Sequence, residues 1–91
     1  MTKTDLIEAV AASAGIKKDQ ASKAVNAVLG VVTDTLARGE SVALTGFGTF
    51  LVRDRAARTV RNPTSGGKVD VPARRVPAFK PGKGLRDSVS G

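Results

Sequence analysis

The sequence predicts an α+β fold. Two N-terminal helices precede a three-stranded antiparallel sheet with a long protruding β-ribbon arm, and a short C-terminal helix closes the chain. Three observations predict it. Apolar residues recur at helical spacing up to Leu36 and then give way to β-branched runs. Turn formers at Pro63-Thr64-Ser65-Gly66-Gly67 separate two extended segments. The basic excess lies wholly in the second half, and there the stretch from Arg53 to Arg75 has too few and too small apolar residues to build a core.

Thr2 opens the first helix, with Asp5 three residues on, a capping box with Asp in place of Glu or Gln. Leu6, Ile7, Val10, Ala11 and Ala14 follow at helical spacing, and Gly15 is a natural stop. The second helix begins near Lys18. Its cap is poor, because Lys17 stands where Ser or Asp is expected, although Asp19 and Gln20 suit a first turn. Ala21, Ala24, Val25, Val28, Val32 and Leu36 form one stripe, which Leu29 and Val31 widen. A helix apolar on more than one side needs more cover than the first helix offers, which favours a dimer in which second helices pack together. Gly30 inside it costs roughly 1 kcal/mol relative to Ala. Arg38 and Gly39 end the helix.

Ser41 to Thr45 reads as a short strand, Gly46-Phe47-Gly48 as a tight connection, and Thr49 to Val52 as a second strand running on into arginines. The return strand, Val69 to Lys80, carries Pro72 and Pro77, each of which must sit at an edge or a bulge. Phe79 is expected to join Phe47 and Phe50 in the core. Pro81-Gly82 leads to a last helix with Leu85 and Val89 as its apolar pair, weak by itself. A single domain over residues 1–91 therefore divides into a body, 1–52 and 76–91, and an arm, 53–75. An isolated hairpin is marginal in water, so such an arm projects from a body rather than folding alone.

The chain has 91 residues and a net charge of +7. Residues 1–50 hold five basic and five acidic side chains, whereas residues 51–91 hold ten basic and three acidic ones. A one-sided basic field favours a polyanion; the bland alternative is solubility charge. With no Cys and no His, disulfides, thiolate metal sites and the commonest general base are excluded. The acidic residues are scattered and form no convincing acid–base pair, so an enzyme has little support, and neither cofactor nor metal is expected. Asp5 and Glu8 interrupt any signal-peptide apolar region, and the longest uncharged run, Ser41 to Val52, is twelve residues. A soluble, cytoplasmic protein without a membrane partner is expected.

Four arginines, Arg53, Arg55, Arg58 and Arg61, fall within nine residues. By strand alternation Arg53, Arg55 and Arg61 share a face if no bulge intervenes, and Arg58 takes the other. Charge protection of an edge strand explains one or two arginines but poorly explains four. A ribbon with arginines on both faces can follow a groove, and Arg suits the electronegative minor groove. Asn62-Pro63 follows at the tip. Pro63 either makes a turn or, at the end of such a ribbon, wedges between base pairs and kinks the duplex by roughly 20–90°. Arg74 and Arg75 lie on the return run. Lys80, Lys83 and Arg86 form a further basic group near a helix N-terminus, where free N–H groups favour phosphate, and Lys3 stands likewise at the first helix. Gly46-Phe47-Gly48-Thr49-Phe50 is no dinucleotide fingerprint, because no helix follows. Nor is it an RNA-recognition strand, since that fold needs a strand before its first helix.

Taken together, Gly46-Phe47-Gly48-Thr49-Phe50, the arginines through Arg61-Asn62-Pro63, and Val76-Pro77-Ala78-Phe79-Lys80 with Gly82-Lys83 resemble the bacterial histone-like family, HU and integration host factor. The resemblance spans essentially the whole chain. It implies an intertwined dimer, homodimeric or heterodimeric, with arms in the minor groove of double-stranded DNA and Pro63 as the intercalating residue. It further implies phosphate contacts from Lys3, Lys80 and Lys83. The family's tip usually reads Asn-Pro-x-Thr-Gly-Lys, whereas Ser65 replaces Thr here and the lysine, Lys68, is displaced by one. The absence of extra tails leans towards HU-like, nonspecific binding rather than the sequence-specific bending of integration host factor. The expected DNA-binding set is Arg53, Arg55, Arg58, Arg61, Asn62, Pro63, Arg74, Lys80, Lys83 and Lys3. The expected role is architectural: bending and compacting the nucleoid, with a preference for bent, nicked or junction DNA. An RNA-binding module is the alternative from another class.

Overall fold

The computed structural model describes residues 1–91 and contains three α-helices and five β-strands. The chain packs as two units, Met1–Asp34 and Thr35–Gly91.

In the first unit, helix α1 (Lys3–Ala14) is closed at both ends by local chemistry. The Thr2 amide donates to Asp5 Oδ2 at 3.0 Å and the Asp5 amide donates to Thr2 Oγ1 at 3.2 Å, so the capping box forms with Asp in the acidic place. At the other end Gly15 takes the left-handed conformation, φ 69°, and the amide of Ile16 donates to the Ala11 carbonyl at 3.1 Å. That pairing satisfies a carbonyl the helix would otherwise leave open. Helix α2 (Lys18–Ala37) starts better than its Lys17 cap suggests. The Gln20 side-chain oxygen accepts from the Lys17 amide at 3.1 Å, supplying one half of a capping box.

Ala11, Ala21 and Val25 are the buried apolar side chains of this unit. Leu6, Val28, Leu29 and Val31 stay exposed, and Leu6, Val10, Ala24, Val25, Val28 and Leu29 line an open apolar groove. The wide stripe read from the sequence is therefore only partly covered within one chain. A side chain at Gly30 would meet nothing within 4 Å, so no close approach inside the chain requires that glycine.

The second unit is built on a three-stranded antiparallel sheet in the order β1 (Val42–Leu44), β2 (Gly48–Arg55), β5 (Arg74–Pro81). A separate two-stranded ladder, β3 (Arg58–Arg61) with β4 (Lys68–Val71), forms the extended arm. The continuous strands expected from the sequence are each broken in two. The outgoing break falls at Ala56-Ala57 and the return break at Pro72-Ala73, where Pro72 has no amide to donate. Pro77 is accommodated because β5 is an edge strand.

Period-two alternation divides the main sheet. Phe50, paired with Phe79, and Val52, paired with Pro77, share one face with Val42. Phe79 stacks at tilted angles on both other rings, 5.5 Å from Phe47 and 4.8 Å from Phe50 between centroids. The aromatic cluster thus forms as expected, but it is not a closed core, since Phe47 remains 47% and Phe79 37% exposed. Helix α3 (Lys83–Ser90) is seated on the Gly46–Gly48 corner. The Gly82 amide donates to the Phe47 carbonyl at 2.8 Å and the Leu85 amide to the Gly46 carbonyl at 3.2 Å. The approach is close enough that a Cβ at Gly84 would lie 2.7 Å from the Gly46 oxygen.

Candidate nucleic-acid interface

The sheet register decides which cations share a face. Along β2 and β5 the pairs Thr49–Lys80, Leu51–Ala78, Arg53–Val76 and Arg55–Arg74 occupy one face, opposite the aromatic face. Arg53, Arg55, Arg74 and Lys80, far apart in the chain, are thereby gathered on a single surface. All four are exposed. Asp54 and Arg75 form the intervening pair and belong to the other face, with Arg75 Nε 4.0 Å from Asp54 Oδ1.

In the arm, Arg58 pairs with Val71, Thr59 with Asp70, Val60 with Val69, and Arg61 with Lys68. One face of the arm is therefore Arg58 with Val60, Val69 and Val71. The other carries Arg61 and Lys68, with Thr59 Oγ1 donating to Asp70 Oδ1 at 3.1 Å. The expected sharing of a face by Arg53, Arg55 and Arg61 does not follow from alternation, because the ladder is interrupted at Ala56-Ala57 and the count of faces restarts beyond it. Lys68, identified in the sequence only as a displaced tip lysine, is not in the expected binding set. Its charge was visible, but only the register sets it against Arg61.

Two like-charged pairs thus stand directly opposite each other, Arg55 with Arg74 and Arg61 with Lys68. Such pairs oppose sheet formation, and no cross-strand carboxylate relieves either of them directly. Between them, the gap in the ladder leaves a cleft whose lining includes Arg55, Arg58 and Arg74 together with Asp54.

The tip is held by its own side chains. Asn62 Oδ1 accepts from the amides of Thr64, at 2.9 Å, and Ser65, at 3.4 Å, in an Asx-type turn. The Asn62 amide donates to the Gly67 carbonyl at 2.7 Å, and the Gly66 amide to the Asn62 carbonyl at 2.8 Å, with Gly66 at φ 74°. Ser65 Oγ accepts from the Gly67 amide at 3.2 Å, which gives the residue at the unusual tip position a structural task. Asn62 is half-buried and its oxygen shapes the turn, while Pro63 is exposed at the tip.

The remaining expected residues are placed differently. Lys83 is exposed and lies 3.6 Å from Asp87 on the same helix, an exposed pair of small energetic weight. The free amides expected at the start of α3 are partly taken, since those of Gly82 and Leu85 donate to the corner carbonyls. Lys3 lies in the first unit, at the start of α1, where the Asp5 amide is already engaged by Thr2. No helix of the protein is long and apolar enough to cross a membrane.

Comparison with known proteins follows the same lines. A family model described as bacterial DNA-binding protein matches residues 1–90. The DNA-binding protein HU of Geobacillus stearothermophilus is 54% identical over 89 residues, covering 98% of this chain and 99% of that protein. The DNA-binding protein HU of Staphylococcus aureus (strain COL) is 55% identical over 89 residues, with the same coverage of 98% and 99%. Among solved structures, an Anabaena HU–DNA cocrystal structure matches with a TM-score of 0.91 at 42% identity, over 99% of this chain and 98% of that one. A mutant HU from Thermotoga maritima matches with a TM-score of 0.73 at 35% identity, over 98% of this chain and 99% of that one.

Proposed function

Because the chain belongs to the bacterial DNA-binding protein family, we propose that it is a non-enzymatic architectural protein that binds and bends double-stranded DNA with little sequence preference. The observation that carries this reading is the pair of like-charged cross-strand contacts, Arg55 with Arg74 and Arg61 with Lys68. Each costs stability in the free protein and each is offset by a phosphate lying between its members. Arg53 and Lys80 extend the same surface along the sheet, and Arg58 adds a cation on the valine face of the arm. Pro63, exposed and held out by the Asn62 turn, is suited to wedge into a base step. The minor groove offers a degenerate code, which suits nonspecific binding.

The functional unit in this reading is a homodimer. The uncovered apolar groove of the first unit, lined by Leu6, Val10, Ala24, Val25, Val28 and Leu29 with Val28 59% exposed, is the surface a second copy buries. The protein acts in the nucleoid, with nicked, bent and junction DNA preferred because their deformation is cheaper.

A gel-shift comparison of linear, nicked and four-way DNA against a matched RNA duplex, with the oligomeric state measured alongside, tests the proposal. A dimer that binds nicked and four-way DNA more tightly than linear DNA, and RNA least, is expected. Equal or tighter binding of RNA would replace the proposal by an RNA-binding role.

A further inference from the structure

Arg74 and Arg75 are adjacent, yet the pleat sends them to opposite faces of β5. Arg74 joins the cationic surface. Arg75 turns instead to the C-terminus of α2. There the Thr35 carbonyl accepts from the amides of Arg38, at 3.2 Å, and Glu40, at 3.1 Å, and the Leu36 carbonyl accepts from Gly39 at 2.9 Å. The next carbonyl, that of Ala37, accepts from Arg75 Nη1 at 3.3 Å across 38 residues of chain. The last turn of α2 has no basic residue of its own and Arg38, just beyond it, pairs with Glu40, so Arg75 adds a cation at the negative helix end. Gly39, at φ 80°, brings its backbone close: a Cβ there would lie 3.4 Å from Nη1. On the other side of the guanidinium, Nε faces Asp54 Oδ1 at 4.0 Å. The guanidinium thus links β5 to the end of α2 by a hydrogen bond, with the exposed Asp54 contact on β2 the weaker of the two.

Its position in the ladder gives this link a consequence. Arg55–Arg74 is the last pair of the main sheet, Asp54–Arg75 is the one before it, and beyond them the backbones at Ala56-Ala57 and Pro72-Ala73 are unpaired between ladders. The direction in which the arm leaves the sheet is therefore set by whatever holds these final two pairs. We propose that Arg75 is a positioning residue for DNA bending: by tying the arm root to the α2 terminus it fixes the angle of the arm and does not itself touch nucleic acid. A lysine cannot replace it, because a point charge on a flexible stem does not reach two partners in fixed directions. The assignment rests on the DNA-bending reading above.

The test uses full-length R75Q, R75K, D54N and R74Q proteins on a short duplex carrying a dye at each end. Distance distributions between the dyes are recorded at saturating protein, and affinity is measured against salt. R75Q and R75K are expected to widen the distribution and lower the mean bend, while their salt slope stays that of the parent. D54N is expected to act in the same direction more weakly. R74Q is expected to lower the slope by about 0.9 for each phosphate that Arg74 neutralises. Far-UV circular dichroism and sedimentation establish that each variant folds; should R75Q not fold, R75K and D54N decide the matter. A parent-like bend in R75Q, full rescue by R75K, or a slope change in R75Q equal to that of R74Q would overturn this assignment alone. A parent protein that does not bend DNA would overturn it together with the proposed function.

Discussion

Arg61 and Lys68 stand directly opposite each other in the two-stranded arm, two cations facing across a ladder only four residue pairs long. A neutral or oppositely charged pair would hold the same ladder better. Lys68→Glu is therefore expected to stabilise the free arm by about 0.2–1 kcal/mol, read as slower exchange of the Val60 and Val69 amides. The same variant should bind DNA more weakly and with a shallower salt slope. In the parent, if a dimer neutralises about six to ten phosphates, affinity should drop roughly 10³–10⁵-fold between 50 and 200 mM salt. A flat salt response would remove the electrostatic basis of the interface.

Pro63 is exposed at a tip whose turn is also held by hydrogen bonds to the side chains of Asn62 and Ser65. Pro63→Ala should leave the turn intact and reduce bending more than binding. Energy transfer between duplex ends and an affinity titration on the same DNA separate the two; equal loss of both would argue against a wedge.

Gly48 has no room for a side chain, since a Cβ would approach Phe79 Cζ to 2.6 Å and the Lys80 carbonyl oxygen to 2.7 Å. Gly48→Ala must displace the aromatic cluster or the ladder, and a loss of about 1–3 kcal/mol is expected, as for other overpacked sites. Denaturant unfolding monitored by circular dichroism measures it. Gly84→Ala should be destabilising for the same reason, against the Gly46 oxygen.

Val28 lines the open groove of the first unit and contributes little burial within one chain. Val28→Asp should therefore harm an isolated chain little and a dimer severely. Sedimentation is expected to show dissociation or unfolding at concentrations where the parent is dimeric. An unchanged dimer would place the interface elsewhere.

Much of the protein is legible in its sequence, because its local signals are short-range. The Thr2–Asp5 box, the Gly15 stop, the long apolar stripe and the turn formers after Pro63 each depend on residues within a few positions, and spacing alone encodes them. The positive excess after residue 50 points to a polyanion for the same reason: it is a sum over composition. The tertiary structure alone decided the rest. Which arginines share a surface depends on the pairing of Arg55 with Arg74 and on the break at Ala56-Ala57, and neither is visible in periodicity. The different fates of Arg74 and Arg75 depend on a helix end 38 residues away. The free amides expected at α3 are partly consumed by a corner that folds onto them. Local spacing specifies elements, but register and partnership are set by contacts between distant parts of the chain, and these exist only once the sheet has paired.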